Sequence, residues 1–163
     1  MDVQKVLAHK IVSGSALAKQ VESWKSAGKK IVFTNGCFDL LHAGHIAYLS
    51  EAAALGDVLI VGLNSDSSVQ RLKGPSRPIN DESTRGMLLG SMFFIDAVVP
   101  FSEETPLELI KTIMPDVLVK GGDYEIPQIV GAKEVIESGG NVKTLSFLPG
   151  YSSTSIIEKI KKG

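Results

Sequence analysis

His42 and His45, three residues apart with Gly44 between them, are the side chains of this sequence whose types and spacing best suit chemistry. They close the stretch Lys30 to His45, KIVFTNGCFDLLHAGH. A short apolar run, Ile31-Val32-Phe33, ends in Thr34-Asn35-Gly36, and the pattern turns helical after His45. A strand, a glycine turn and the positive end of a helix bearing two imidazoles make a setting for phosphate. At this spacing both rings can face one way. There they could donate hydrogen bonds to a phosphate whose charge grows in a transition state. A bare HxxH also admits a capping or core histidine, or half of a metal site. Zinc would need a third ligand, and the only other histidine, His9, lies in an N-terminal arm.

The elements around this stretch follow from periodicity and turn signals. Residues 1–14 read as a short, loosely patterned arm with room for a single helical turn, and Ser15 could cap a helix running to Gly28. Strands are expected at 30–34, 58–63, 97–99, 116–120 and 142–145. Helices are expected near 43–54, 65–72, 81–92, 132–137 and 152–161, with one opened by Pro106 at its first position. Val58 to Leu63 is apolar without a break, as a strand covered on both faces would be. Strands alternating with helices give an α/β chain with a parallel sheet. Its ligands belong beyond the carboxyl ends of the strands. The expected organisation is an N-terminal arm and helix over 1–28, then a single domain over 29–163. Met92, Phe93, Phe94 and Ile95 could be either core or an interface.

Composition sets outer limits. A net charge of −1 gives no general attraction to nucleic acid or an anionic membrane, so any phosphate must be held locally. The single cysteine, Cys37, excludes an internal disulfide and a cysteine-rich zinc site. The first residues lack the pattern of a signal peptide. The longest apolar run is too short to span a bilayer. The expected location is therefore cytoplasmic.

Other residues carry two readings each. Lys73, Arg77 and Arg85, in and after the loop Lys73-Gly74-Pro75-Ser76-Arg77-Pro78, are either a solvated basic group or a loop that closes over phosphates. Lys120 is a surface lysine at a strand end or a nucleotide contact, with Gly121 and Gly122 letting backbone approach a base or ribose. Asp39 and Asp123 are candidates for metal or ribose contacts, and Asp39 could instead stabilise its own turn. Cys37 offers a backbone amide. Tyr124 and Tyr151 line a pocket or pack. Ser152-Ser153-Thr154 starts the last helix, where capping is the ordinary role. Neither a P-loop nor a dinucleotide-binding glycine fingerprint is present.

The run Gly36-Cys37-Phe38-Asp39-Leu40-Leu41-His42-Ala43-Gly44-His45 resembles the GxFDxxHxGH signature of the cytidylyltransferase-like nucleotidyltransferases. With Thr34-Asn35 ahead of it, it most resembles the adenylyltransferase domain of bacterial ADP-heptose synthesis. The likeness continues through Asn64-Ser65-Asp66, Arg77-Pro78, Arg85, Val119 to Tyr124 and Gly150 to Thr154, covering roughly residues 25 to 162. Leu148 and Pro149 stand where glycerol-3-phosphate cytidylyltransferases resemble RTxGIST, which counts against that relative.

The resemblance implies a Rossmann-like doubly wound sheet of about five parallel strands in the order 3-2-1-4-5. It implies AMP transfer from ATP to D-glycero-β-D-manno-heptose 1-phosphate, giving ADP-heptose and pyrophosphate for lipopolysaccharide-core precursor synthesis. His42, His45, Lys73 and Arg85 would be catalytic. Asn35, Gly36, Cys37, Phe38, Asp39, Gly44, His45, Lys120, Gly121, Asp123, Ser152, Ser153 and Thr154 would bind nucleotide, and Arg77, Asn64 and Tyr124 the sugar phosphate. Mg2+ would come with ATP, with no protein ligand assigned to it. The expected partners are these two substrates and a second copy of the chain in a homo-oligomer, without nucleic acid or membrane. A sugar kinase and a phosphatase, as separate proteins, would act earlier. The alternatives are a cytidylyltransferase for glycerol 3-phosphate or another polyol or alcohol phosphate, and a non-catalytic nucleotide-binding domain.

Overall fold

The strand Ile31–Gly36 (β1) sends Ile31 and Phe33 to one side of its sheet and Val32 to the other, and all three are fully buried. Each side therefore has its own core. The computed structural model describes residues 2–163. Helices Val3–Lys10 (α1) and Gly14–Ser26 (α2) precede β1. After it come Ala43–Ala53 (α3), Val58–Asn64 (β2), Asp66–Lys73 (α4), Glu82–Gly90 (α5) and Ala97–Phe101 (β3). Leu107–Ile113 (α6), Val117–Gly121 (β4), a 3-10 turn Ile126–Gln128, Ala132–Glu137 (α7), Asn141–Leu145 (β5) and Ser153–Lys161 (α8) follow.

The strands form one sheet in the order β3-β2-β1-β4-β5, every pair parallel. This is the expected order. The direction of winding reverses between β1 and β4, so a crevice opens at their carboxyl ends. One core joins Leu17 and Val21 of α2, Ile110 and Ile113 of α6 and Val135 of α7 to Ile31, Phe33 and Ile60. The other joins Tyr48, Leu49 and Ala52 of α3 and Leu89 of α5 to Val32, Leu59 and Val61. Fully burying a side chain such as Phe33 or Leu49 stabilises the fold by about 1.5–3 kcal/mol.

The amino ends of the strands are pinned by three aspartates. Asp57, Asp96 and Asp116 each stand one residue before a strand, and each carboxylate accepts a backbone N–H within one residue of the start of the neighbouring strand. The donors are Lys30 at 2.8 Å, Leu59 at 2.8 Å and Ile31 at 2.7 Å respectively. This holds the strands in step, Ile31 beside Val58.

Three local expectations change. The arm at 1–14 contains a helix, α1, which packs on α5. Gly86 and Gly90 leave a groove in which Leu7 and Ile11 carbons lie 3.6–4.0 Å from where a Cβ would be. Ile11 then bridges Val98 of β3. The second helix starts one residue before Ser15, with Ser13 at the cap position. Pro106 is the cap residue of α6 rather than its first residue. Of the apolar run 92–95, Ile95 is core, Met92 and Phe94 pack against it, and Phe93 is 90% exposed. Among the described residues no helix is long and apolar enough to cross a membrane.

Candidate active site

The end of β1 is shaped by what lies on its glycine. A Cβ on Gly36 would sit 2.9 Å from the Phe38 ring, so glycine lets the chain fold over itself. Phe38 takes a left-handed φ of 47° and sets its ring edge-on to His45, with centroids 5.3 Å apart. Asp39 then turns inward. Its carboxylate accepts from the backbone N–H of Ile79 at 2.8 Å, of Asn80 at 2.9 Å and from Arg77 Nε at 2.6 Å. Burial pushes the Asp39 carboxyl up, but those N–H donors and the Arg77 charge outweigh it and hold it below its usual value. Asp39 thus straps the end of the basic loop to the glycine turn.

His42 caps α3, its Nδ1 accepting the His45 N–H at 3.4 Å. The two rings stack with centroids 3.8 Å apart and planes 18° from parallel. Burial, then the nearby His42 and Lys73, lowers the His45 pKa to about 4. Burial also lowers that of His42. Both imidazoles are therefore neutral near pH 7 and can donate to an anion without first carrying charge. Gly44 completes the arrangement: a Cβ there would be 3.0 Å from both the His42 ring and Tyr151 Cβ.

Tyr151 brings the second helix start to the first. Its ring lies over His42 at 6.1 Å, and Ser153 Oγ donates to the Leu40 carbonyl at 3.0 Å. Ser152 caps α8, accepting the Ser155 N–H at 2.9 Å. Neither α3 nor α8 has an acidic residue in its first turn. Two uncompensated positive helix ends thus meet side by side, which is a physical basis for holding an anion.

A cleft of about 710 Å³ opens here. Its walls bring together Asn35, Gly36, Cys37, Phe38, Asp39, His45, Lys73, Lys120, Gly121, Asp123, Tyr124 and Ser153, all expected from the sequence. His42 and Gly44 stand directly behind His45. Burial raises the Cys37 thiol above its ordinary pKa, against the pull of Lys73 and Arg85, so it is no ready nucleophile. Tyr48 and Phe147 also line the cleft and were not foreseen. Tyr48 lies one helical turn after His45, the spacing that could have revealed it. Its hydroxyl bonds to Thr34 Oγ1 at 2.5 Å, and burial pushes its pKa up to about 12.

Three expected contacts are placed elsewhere. Arg85 is fully buried, donating to Asn80 O at 3.0 Å, Cys37 O at 2.7 Å, Asn64 O at 2.8 Å and Asp66 Oδ1 at 2.8 Å. It staples three loops and does not line the cleft, which is the placement of a positioning residue. Arg77, 8% exposed, faces Asp39 and not the cleft. Asn64 is buried too, its amide nitrogen donating to Ser68 Oγ at 2.9 Å. Ser152 and Thr154 flank Ser153 at the helix start without lining the cleft wall.

The family profile described as cytidylyltransferase-like matches residues 33–159. Among curated proteins, the bifunctional protein HldE of Vibrio cholerae serotype O1 is 54% identical over 153 residues, 94% of this chain. HldE of Wolinella succinogenes is 54% identical over 152 residues. This chain spans about a third of the length of such relatives, 32% of the Vibrio protein. A lipopolysaccharide core biosynthesis protein from Thermoplasma volcanium superposes with a TM-score of 0.59 at 31% identity, over 74% of this chain and 98% of its own. Pantoate-beta-alanine ligase from Francisella tularensis shares the fold, with a TM-score of 0.55 at 16% identity over 93% of this chain and 76% of its own.

Proposed function

The chain belongs to the cytidylyltransferase-like family, and from that footing we propose that it transfers AMP from ATP to D-glycero-β-D-manno-heptose 1-phosphate. A phosphate oxygen of the sugar attacks the α-phosphorus of ATP in line. The bond from the α-phosphorus to the bridging oxygen breaks, pyrophosphate leaves, and ADP-heptose remains. The attacking oxygen is already anionic near neutral pH, so no general base is required. Catalysis reduces to positioning and charge stabilisation.

One observation carries this reading: the stacked His42–His45 pair at the start of α3, in contact with the start of α8. The imidazoles would donate to the α-phosphate as its charge grows. The N–H groups at the α8 start would hold the leaving pyrophosphate, and Lys73 would reach it from across the cleft. The 54% identity to HldE and the Thr34-to-His45 signature favour an adenylyltransferase of ADP-heptose synthesis over its cytidylyltransferase cousins.

Magnesium fits this site as a passenger on ATP. Both Asp39 oxygens are engaged by loop donors, which leaves Asp123 as the open carboxylate on the cleft wall. Among the described residues no group of three or more His, Cys, Asp or Glu gathers to hold a metal. A donor set of this kind suits an ion held on phosphate oxygens and water. Bound there, it would neutralise charge on the triphosphate. The proposed setting is the cytoplasm, where ATP is supplied, with separate kinase and phosphatase steps providing the sugar 1-phosphate.

The test is pyrophosphate release with ATP and CTP, each against heptose 1-phosphate and glycerol 3-phosphate. ATP with heptose 1-phosphate should be the productive pair. Preference for CTP with glycerol 3-phosphate would assign the chain to the cytidylyltransferases, and ATP binding with no release from any pair would make it a binding domain.

A further inference from the structure

Across β4 from the histidines lies a second recess of about 150 Å³, and we propose that it receives the hydroxylated ring of the acceptor. The proposal rests on the transfer reading above and deepens it. Asn35, Lys120 and Tyr124 line both this recess and the main cleft, so the two spaces share a wall. Leu118 and Ile129 give the recess an apolar floor, and Gln128 stands at its rim.

The polar groups here are unengaged. Among the described residues, the side-chain amides of Asn35 and Gln128 make no hydrogen bond within the protein; only their main chains are used, that of Asn35 in β1 beside Gly62 of β2 and that of Gln128 in its 3-10 turn. A carboxamide both donates and accepts, which is what a row of sugar hydroxyls needs. The apolar floor suits the C–H face of a ring. Lys120 Nζ lies 5.3 Å from the Tyr124 ring centroid, which stations its charge at the shared wall. The phosphate of a ring seated in the recess would pass this ammonium on its way to the α-phosphorus.

The main cleft offers the adenine a different surface. Gly121 lies flat under the Phe147 ring, where a Cβ would come within 2.6 Å of ring carbons, and Tyr48 stands 5.8 Å from that ring. Flat aromatic and glycine surfaces suit a purine. The base therefore goes to Phe147, and the recess is left for the sugar.

Gln128→Leu tests this, because it keeps the side chain's bulk and removes both hydrogen-bonding functions at an exposed position. KM for heptose 1-phosphate and KM for ATP are measured separately by pyrophosphate release. In parallel, saturation transfer from protein to sugar protons is recorded by NMR with a non-hydrolysable ATP analogue present. The sugar KM should rise roughly tenfold with the ATP KM unchanged, and the sugar saturation should fall away. Gln128→Asn should recover part of the loss.

A rise in the ATP KM instead would give the recess to the base and overturn the proposal. No change in either KM would overturn it while leaving the transfer reading intact. Should the unsubstituted protein release no pyrophosphate with any sugar phosphate, the transfer reading falls and the NMR arm still decides. Sugar saturation present in it and lost in Gln128→Leu upholds the subsite, and saturation equal in both, or absent from both, overturns it.

Discussion

The imidazole of His42 lies stacked on that of His45, 3.8 Å between centroids, at the first turn of α3. Burial lowers the pKa of both rings, and two imidazolium charges at that separation would repel as well, so the pair is neutral near pH 7. Replacing either histidine by alanine should lower kcat by about 10²–10³, the loss typical of removing an oxyanion donor. Far-UV circular dichroism should stay unchanged. Because the rings act as a unit, the double variant should lose little beyond the worse single one. Turnover near the wild-type rate in either single variant would remove the pair from the mechanism.

Stability should fall as the solution is made mildly acid. His45 titrates at 6.5 when free and at about 4 in the fold. Between those values the unfolded chain binds a proton that the folded chain refuses, so stability drops as pH falls from about 6.5 to 4 and levels off below. His42 adds in the same direction. Asp96, whose carboxyl burial pushes up, works the opposite way at lower pH. The measurement is the thermal midpoint at pH 7.5, 6, 5 and 4 for the wild type and His45→Asn. The variant should show a shallower decline, and parallel curves would mean His45 is not the depressed group.

Lys73 and Arg85 should separate function from stability. Lys73 lines the cleft, exposed and free to reach a phosphate. Arg85 has four acceptors and no exposure. Lys73→Ala should leave the urea midpoint unchanged and cut kcat/KM at least tenfold, about 1.4 kcal/mol of transition-state stabilisation. Arg85→Ala should cost about 3–5 kcal/mol of stability, because it leaves buried carbonyls and the Asp66 carboxylate without their partner. Urea unfolding read beside initial rates checks both. Equal stability losses in the two variants would contradict the division.

How far the sequence carried this picture depended on range. The βα alternation, the continuous apolar run 58–63 and the HAGH spacing are local, and they led to the parallel sheet, the crevice and the histidine pair, while the strand order came with the family resemblance. Arg77 and Arg85 are expected at the substrates from the resemblance, and nothing local in a polar, basic stretch shows which buried carboxylates and carbonyls will meet them instead. Only the fold brings Asp39 to Arg77 and the Cys37 carbonyl to Arg85, across 38 and 48 residues. The helix at 3–10 escaped for a similar reason. Its apolar face is modest by itself and is completed by the groove at Gly86 and Gly90, which no neighbouring residue announces. Phe147 was missed because its partner is the absence of a side chain at Gly121.

Gly44 is where the two helix starts come closest, and Gly44→Ala should show what that closeness does. The added methyl would press on the His42 ring and on Tyr151 Cβ, each 3.0 Å away. His42 is confined on one side by His45 and lies under Tyr151, so the ring can yield only by leaving the stack. Tyr151 can yield by carrying the α8 start away from α3. That helix buries no residue of its own, so it offers the smaller resistance. The expected outcome is a several-fold rise in KM for ATP together with a fall in kcat. The stability loss should be at the low end of the about 1–3 kcal/mol usual for overpacking, since the loosely seated helix absorbs the strain. Steady-state kinetics with ATP varied, set beside urea unfolding, measures both. Wild-type KM and kcat with an unchanged unfolding midpoint would mean that turnover does not need the helix starts this close.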